Sequence, residues 1–112
     1  MKMIDSAITR EELRKMAAES FGNFVKAVVD IRKRVMTMDA SLHADEEAYL
    51  IQNGSRQSDL WGINLYPDLI GDDFIEFDSM INLRPNQKNL SRGVDDPDIQ
   101  NCIRRIVASL VK

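Results

Sequence analysis

The stretch Leu60–Pro85, LWGINLYPDLIGDDFIEFDSMINLRP, constrains the fold more than any other because its hydrophobicity alternates twice. Trp61, Ile63 and Leu65 share one parity, with Gly62, Asn64 and Tyr66 on the other. Ile75, Phe77, Ile81 and Leu83 again share a parity, with Glu76, Asp78, Asn82 and Arg84 opposite. Period two is the mark of half-buried strands. The interval Pro67–Asp73, rich in Pro, Gly and Asp, predicts a loop that joins two antiparallel strands into a hairpin, with Pro85 ending the second. Their apolar faces then point into one core. The opposite face collects Asn64, Tyr66, Glu76, Asp78, Asn82 and Arg84.

The flanking segments supply helices. Thr9 and Glu12 form a T-x-x-E capping box, with Ile8 and Leu13 placed as the hydrophobic staple, and Leu13, Met16, Ala17 and Phe21 recur at helical spacing before Gly22. Near the end, Asp96 is an N-cap, Pro97 takes the first helical position, and Ile99, Cys102, Ile103, Ile106, Val107 and Leu110 form an apolar stripe. Phe24–Met38 carries two periods at once. Phe24, Val28, Ile31, Val35 and Met38 fit one helix, whereas the β-branched density of VKAVVDI favours two strands turning near Arg32–Arg34. The strands are preferred. Asp39–Glu47 reads as a polar connection carrying at most a short helical turn, Ala48–Gln52 as a short strand, and Asn53-Gly54-Ser55 as a turn. NQKNLSRGVDD follows as a loop long enough for function or mobility. Together these elements predict one α+β domain over residues 1–112: an antiparallel sheet of about five strands with the N-terminal and C-terminal helices packed on one face.

Composition narrows the partners. A net charge of -3 with scattered Lys and Arg disfavours nucleic acid as a ligand, since phosphate binding needs clustered cations. No apolar run reaches the length of a membrane span, so no membrane partner is expected. One cysteine cannot form an internal disulfide, which agrees with a cytoplasmic setting.

The strings LHADEEAYLIQNGSRQSDLWGINLYP, IEFDSMINLRP and SRGVDDPDI resemble an uncharacterised prokaryotic family of short single-domain proteins known only as a domain of unknown function. The resemblance runs from about Glu11 to Val111, with WGINLYP and FDSMINLRP its most specific parts. It implies class and size and carries no activity, cofactor or catalytic residue.

Candidate site residues therefore come from side-chain chemistry. On the polar sheet face Asn64, Tyr66 and Asn82 are candidate binding residues, and Glu76 or Asp78 a candidate acid or base with Arg84 orienting an anionic group. The plain alternative is a solvated face, although Asn and Asp are poor strand formers and call for a reason. His43, in the run H-A-D-E-E, is a further candidate base, set against a surface or capping histidine. No spacing matches a metal signature, and neither metal nor cofactor is expected. Lys88, Ser91 and Arg92 before the last helix could hold an anion, against the repulsion of Asp95, Asp96 and Asp98. Cys102 reads as a small buried hydrophobe. With no nucleophile–base–orienter set in view, a non-enzymatic binding or interaction domain is expected first, and a carboxylate-based enzyme, acid/base or metal-assisted, second. Two quaternary states stay open: a homodimer paired through the Val25–Ile31 edge, and a monomer in which Met1–Ile8 covers that edge.

Overall fold

The β-branched segment after Phe24 forms two strands: β2 (Val25–Asp30) and β3 (Val35–Met38) pair antiparallel, Val28 opposite Thr37. Their turn is built by Asp30, only 1 % exposed, whose Oδ1 accepts from the N–H groups of Arg32 and Lys33 at 2.9 Å each. Ser55 Oγ donates to its other oxygen at 2.6 Å. In the computed structural model, which describes residues 1–112, these strands are the middle of a five-stranded antiparallel sheet. Its remaining strands are β1 (Lys2–Ile4), β4 (Leu60–Leu65) and β5 (Ile75–Glu76), in the order β1-β3-β2-β4-β5.

One face of this sheet is apolar. Ala27, Val29, Met36, Met38, Trp61 and Ile63 lie on it, all 1 % exposed or less. Helix α1 (Arg10–Glu19) covers it with Leu13 and Ala17, and its capping box forms as predicted: Glu12 N–H donates to Thr9 Oγ1 at 3.1 Å and Thr9 N–H to Glu12 Oε1 at 3.4 Å. Phe21 leaves the stripe, lying exposed beyond the helix end and stacked on Phe24 at 4.7 Å. The C-terminal helix, Pro97–Leu110, adds Ile103, Ile106, Val107 and Leu110, and its N-cap Asp96 accepts from Asp98 N–H at 2.8 Å. Cys102 is free and half-buried at the margin of that core.

Three expectations need correction. Residues 43–52 are neither a connection nor a strand but helix α2 (His43–Gln52), which makes the C-terminal helix α3. The helix has no capping side chain at Leu42, and the residues it buries are His43, Glu46 and Leu50. Helical spacing is present, but two of the three are polar, so hydrophobic periodicity does not reveal it. The Asn53-Gly54 signal is its C-terminal cap. Gly54, at φ +96°, donates to Ile51 O and Ser55 N–H to Leu50 O, the paired bonds of a left-handed helix stop.

Second, the strand expected up to Pro85 ends after Glu76. Met80–Asn82 is a 3₁₀ turn in which Ser79 Oγ accepts from Ile81 N–H. The edge of β4 beyond β5 is completed by side chains. Asn82, fully buried, accepts from Gly62 N–H at 2.8 Å and donates to Gly62 O at 2.9 Å, replacing both partners a strand residue would offer. Arg84 donates to Leu60 O and Gln57 O and stacks over Trp61 at 4.3 Å. Gly62 is required where it is, because a Cβ there would lie 2.6 Å from the Ser79 side chain.

Third, β2 is central, paired to β3 and β4, so Val25–Ile31 offers no free edge for a dimer. The N-terminal segment contributes β1, which pairs with β3. No helix is long and apolar enough to cross a membrane.

Candidate functional site

The second face of the sheet is covered at one end only. Leu50 of α2 packs there on Val28 and Leu60, and Ser79 and Ile81 close over Gly62. Past these, a cleft of about 490 Å³ remains, walled by the start of α2, the turn at Asp78–Ile81 and Phe24. Its floor is a straight cross-strand row, for Lys26 on β2 is the register partner of Asn64 on β4, and Asn64 of Glu76 on β5. The missed helix is what turns this polar face into a concave site.

Glu76 is held by its neighbours. Asn64 Nδ2 donates to Glu76 Oε1 at 2.8 Å and Tyr66 OH to the same oxygen at 3.0 Å. Burial and then the adjoining Glu76 carboxylate push the Tyr66 phenol up, so it stays a donor. Asn64 Oδ1 is sealed from solvent and has no partner. Asp78 accepts from Arg92 Nε at 2.7 Å, so Arg92 occupies the role beside a carboxylate that the sequence assigned to Arg84. Tyr66 packs on Phe24 with ring centroids 5.3 Å apart.

His43 stands at the first position of α2, 6 % exposed, with Nε2 at 2.8 Å from Ile63 O. A carbonyl only accepts, so Nε2 carries the proton and Nδ1 presents its lone pair. Burial pushes the imidazole down, helped by the Lys26 and Arg92 charges and resisted by the Ile63 bond and Asp78. The ring is therefore neutral at physiological pH, and this one hydrogen bond is all it makes within the chain.

The structure thus brings together His43, Asn64, Tyr66, Glu76 and Asp78 and separates Asn82 and Arg84 from them. The two belong to the β4 edge. Burial pushes the Arg84 guanidinium down and the Glu47 carboxyl up, each offset in part by the other's charge. Lys26 and Arg92 were missed as cleft residues because only the β2–β4 register and the return of the 85–95 loop place them there. That loop is held by Asn89, whose amide donates to Asn82 O at 2.7 Å and Gly93 O at 2.8 Å and accepts from Asp95 N–H at 2.8 Å. Its proposed anion position is filled from within, since Asp96 caps α3 and Asp95 accepts from Leu90 N–H and Ser91 Oγ, which hold its carboxyl below the usual range. A second depression, of about 420 Å³, lies beside Phe74 and Val107. Its Arg10 is spent on Pro67 O and Leu69 O, at 3.0 Å each, and on the Phe74 ring.

Fold and cleft define an α+β domain that carries a polar recess on the half-covered side of an antiparallel sheet. The chain belongs to the family described as protein of unknown function (DUF5674), whose model matches residues 2–110. No curated protein and no solved structure matches the chain.

Proposed function

We propose that this protein is a binding domain for a small polar molecule, taken up in the cleft over Lys26, Asn64 and Glu76. One observation carries the reading: His43 is almost wholly buried, is fixed through Nε2, and lines the cleft with its other nitrogen unengaged. That nitrogen is not sealed from solvent, so it opens onto the cleft and can accept from a bound donor in place of water. Pockets of a few hundred Å³ with convergent polar groups are the usual form of such sites. The cytoplasmic setting expected from the lack of a long apolar run, with which the single cysteine agrees, belongs to the same reading.

Equilibrating the protein with the small-molecule fraction of a native extract tests this. A retained compound is expected to move the His43 ring resonances and the Asn64 and Glu76 signals by NMR. Shifts confined to the surroundings of Arg10 and Arg104 would sink it. The rival, an acid/base enzyme, draws support from the neutral His43 beside Asp78, a pairing suited to proton transfer. It loses Arg84 as its orienting cation. A retained compound recovered chemically altered would favour the enzyme.

A further inference from the structure

Lys26 and Glu76 lie at opposite ends of the cross-strand row, and neither belongs to any of the ion pairs of the chain. Two strand spacings of about 4.8 Å separate their backbones, and Asn64 stands between. Glu76 is kept from crossing that gap by the Asn64 and Tyr66 bonds. Lys26 has only the Phe21 ring, at 5.3 Å. The cleft thus holds one uncompensated charge of each sign.

The cationic pole extends into α2. Lys26 lines the cleft together with Leu42, His43 and Ala44 of the helix start. That start has no side-chain cap, and the N–H groups of His43 and Ala44 find no intrahelical acceptor at the first two positions. Unsatisfied N–H groups with the positive end of the helix dipole favour an anion. At the anionic pole, Glu76 Oε2 is free while Oε1 takes both donors. Between the poles, His43 Nδ1 adds an acceptor.

On this basis, and resting on the cleft being a binding site, we infer that it takes a zwitterion: an apolar α-amino acid or a close derivative. Its carboxylate lies at Lys26 and the α2 N–H groups, and its ammonium at Glu76 with His43 Nδ1 in reach. Two hydrogen bonds of about 3 Å and the N–Cα–C link, about 2.5 Å across, give a span of the same order as the two strand spacings that separate the Lys26 and Glu76 backbones. The side chain meets the apolar wall formed by Phe24, Leu42, Met80 and Ile81. Leu42 and Met80, 56 % and 62 % exposed without a ligand, are then partly covered.

Titration calorimetry with NMR detection tests this using L-leucine, L-methionine and L-phenylalanine, with N-acetyl-leucine, leucinamide and glucose as controls. At least one amino acid should bind and move the His43 and Glu76 resonances. Removing either charge from that ligand should weaken binding about tenfold or more. Lys26→Met should weaken the amino acid and leave leucinamide unchanged, whereas Glu76→Gln should weaken the amino acid and leave N-acetyl-leucine unchanged. Equal affinity for the charge-deleted controls, or no binding by any amino acid, would overturn the assignment. If glucose moves the His43 and Glu76 resonances instead, the cleft survives as a binding site and the zwitterion does not. If no compound, including the extract fraction, moves them, both fall.

Discussion

The two faces of the sheet are built by different means. Under α1 and α3 the contacts are aliphatic and aromatic, and stability there comes from removing apolar surface from water. Under α2 and the 78–93 segment only a small cluster of Val28, Leu50 and Leu60 does that work. The rest is assembled from buried polar side chains that bond to backbone: Asp30, His43, Glu46, Asn82, Arg84 and Asn89. Apolar packing tolerates volume-conserving exchange, whereas a hydrogen bond made by one specific amide does not. The second face therefore buys specificity of shape, including a cleft, with less margin for substitution.

Truncation on each face sharpens that contrast. On the apolar face, Ile106→Ala should cost about 2–5 kcal/mol, the usual toll of emptying a buried aliphatic site, read from urea unfolding, while Ile106→Leu should cost under about 1.5 kcal/mol. On the polar face, Asn82→Ala should cost about 2–4 kcal/mol, since it leaves Gly62 N–H and C=O without partners. Here the near-isosteric Asn82→Leu should rescue nothing. Equal tolerance at both positions would break the comparison.

Glu46 gives the next effect. It is sealed under α2, accepts only from Ala40 N–H at 3.2 Å, and burial pushes its carboxyl up to about 9. Below the unfolded value of about 4.5 both states hold the proton, and the group does not discriminate between them. Between about 4.5 and 9 the unfolded chain releases it while the folded chain keeps it, so stability falls as pH rises and levels off above 9. Glu46→Gln should remove this slope. Thermal unfolding is expected to show no gain at pH 4 and a gain of up to roughly 5 kcal/mol at pH 8. A pH-independent difference would refute the buried, protonated acid.

The smallest effect compares the helix starts. Thr9→Ala removes the α1 capping box and should cost about 1 kcal/mol. Leu42→Ser adds a cap that α2 lacks and should stabilise by about 0.5–1 kcal/mol, measured by urea unfolding.

The same division explains what could be read from sequence. Capping boxes and apolar stripes made α1 and α3 legible, and β-branched density made β2 and β3 so. Helix α2 was hidden because its inward face is His43, Glu46 and Leu50 with no cap before it. The alternation after Phe77 was real, yet Asn82 and Arg84 serve a neighbouring strand's backbone instead of projecting from a strand of their own. The poor strand propensity of Asn was the available sign. For the cleft, parity along β4 and β5 gave Asn64, Tyr66 and Glu76, and Asp78 lies just past the strand end. Lys26 and Arg92 needed tertiary pairing that no single segment encodes.

Closing β4 with side chains has a kinetic side as well. Leu60–Leu65 is a fully buried, β-prone hexapeptide of the kind that templates fibril growth when its edge is bare. In the native chain the Gly62 amide and carbonyl are occupied by Asn82, so an incoming strand finds nothing to pair with there. That protection arrives only when residues well downstream fold back, and until then the nascent sheet is exposed to its own copies. Loss of Asn82 would leave that edge bare in the folded chain too, and should show first as turbidity on refolding at high protein concentration.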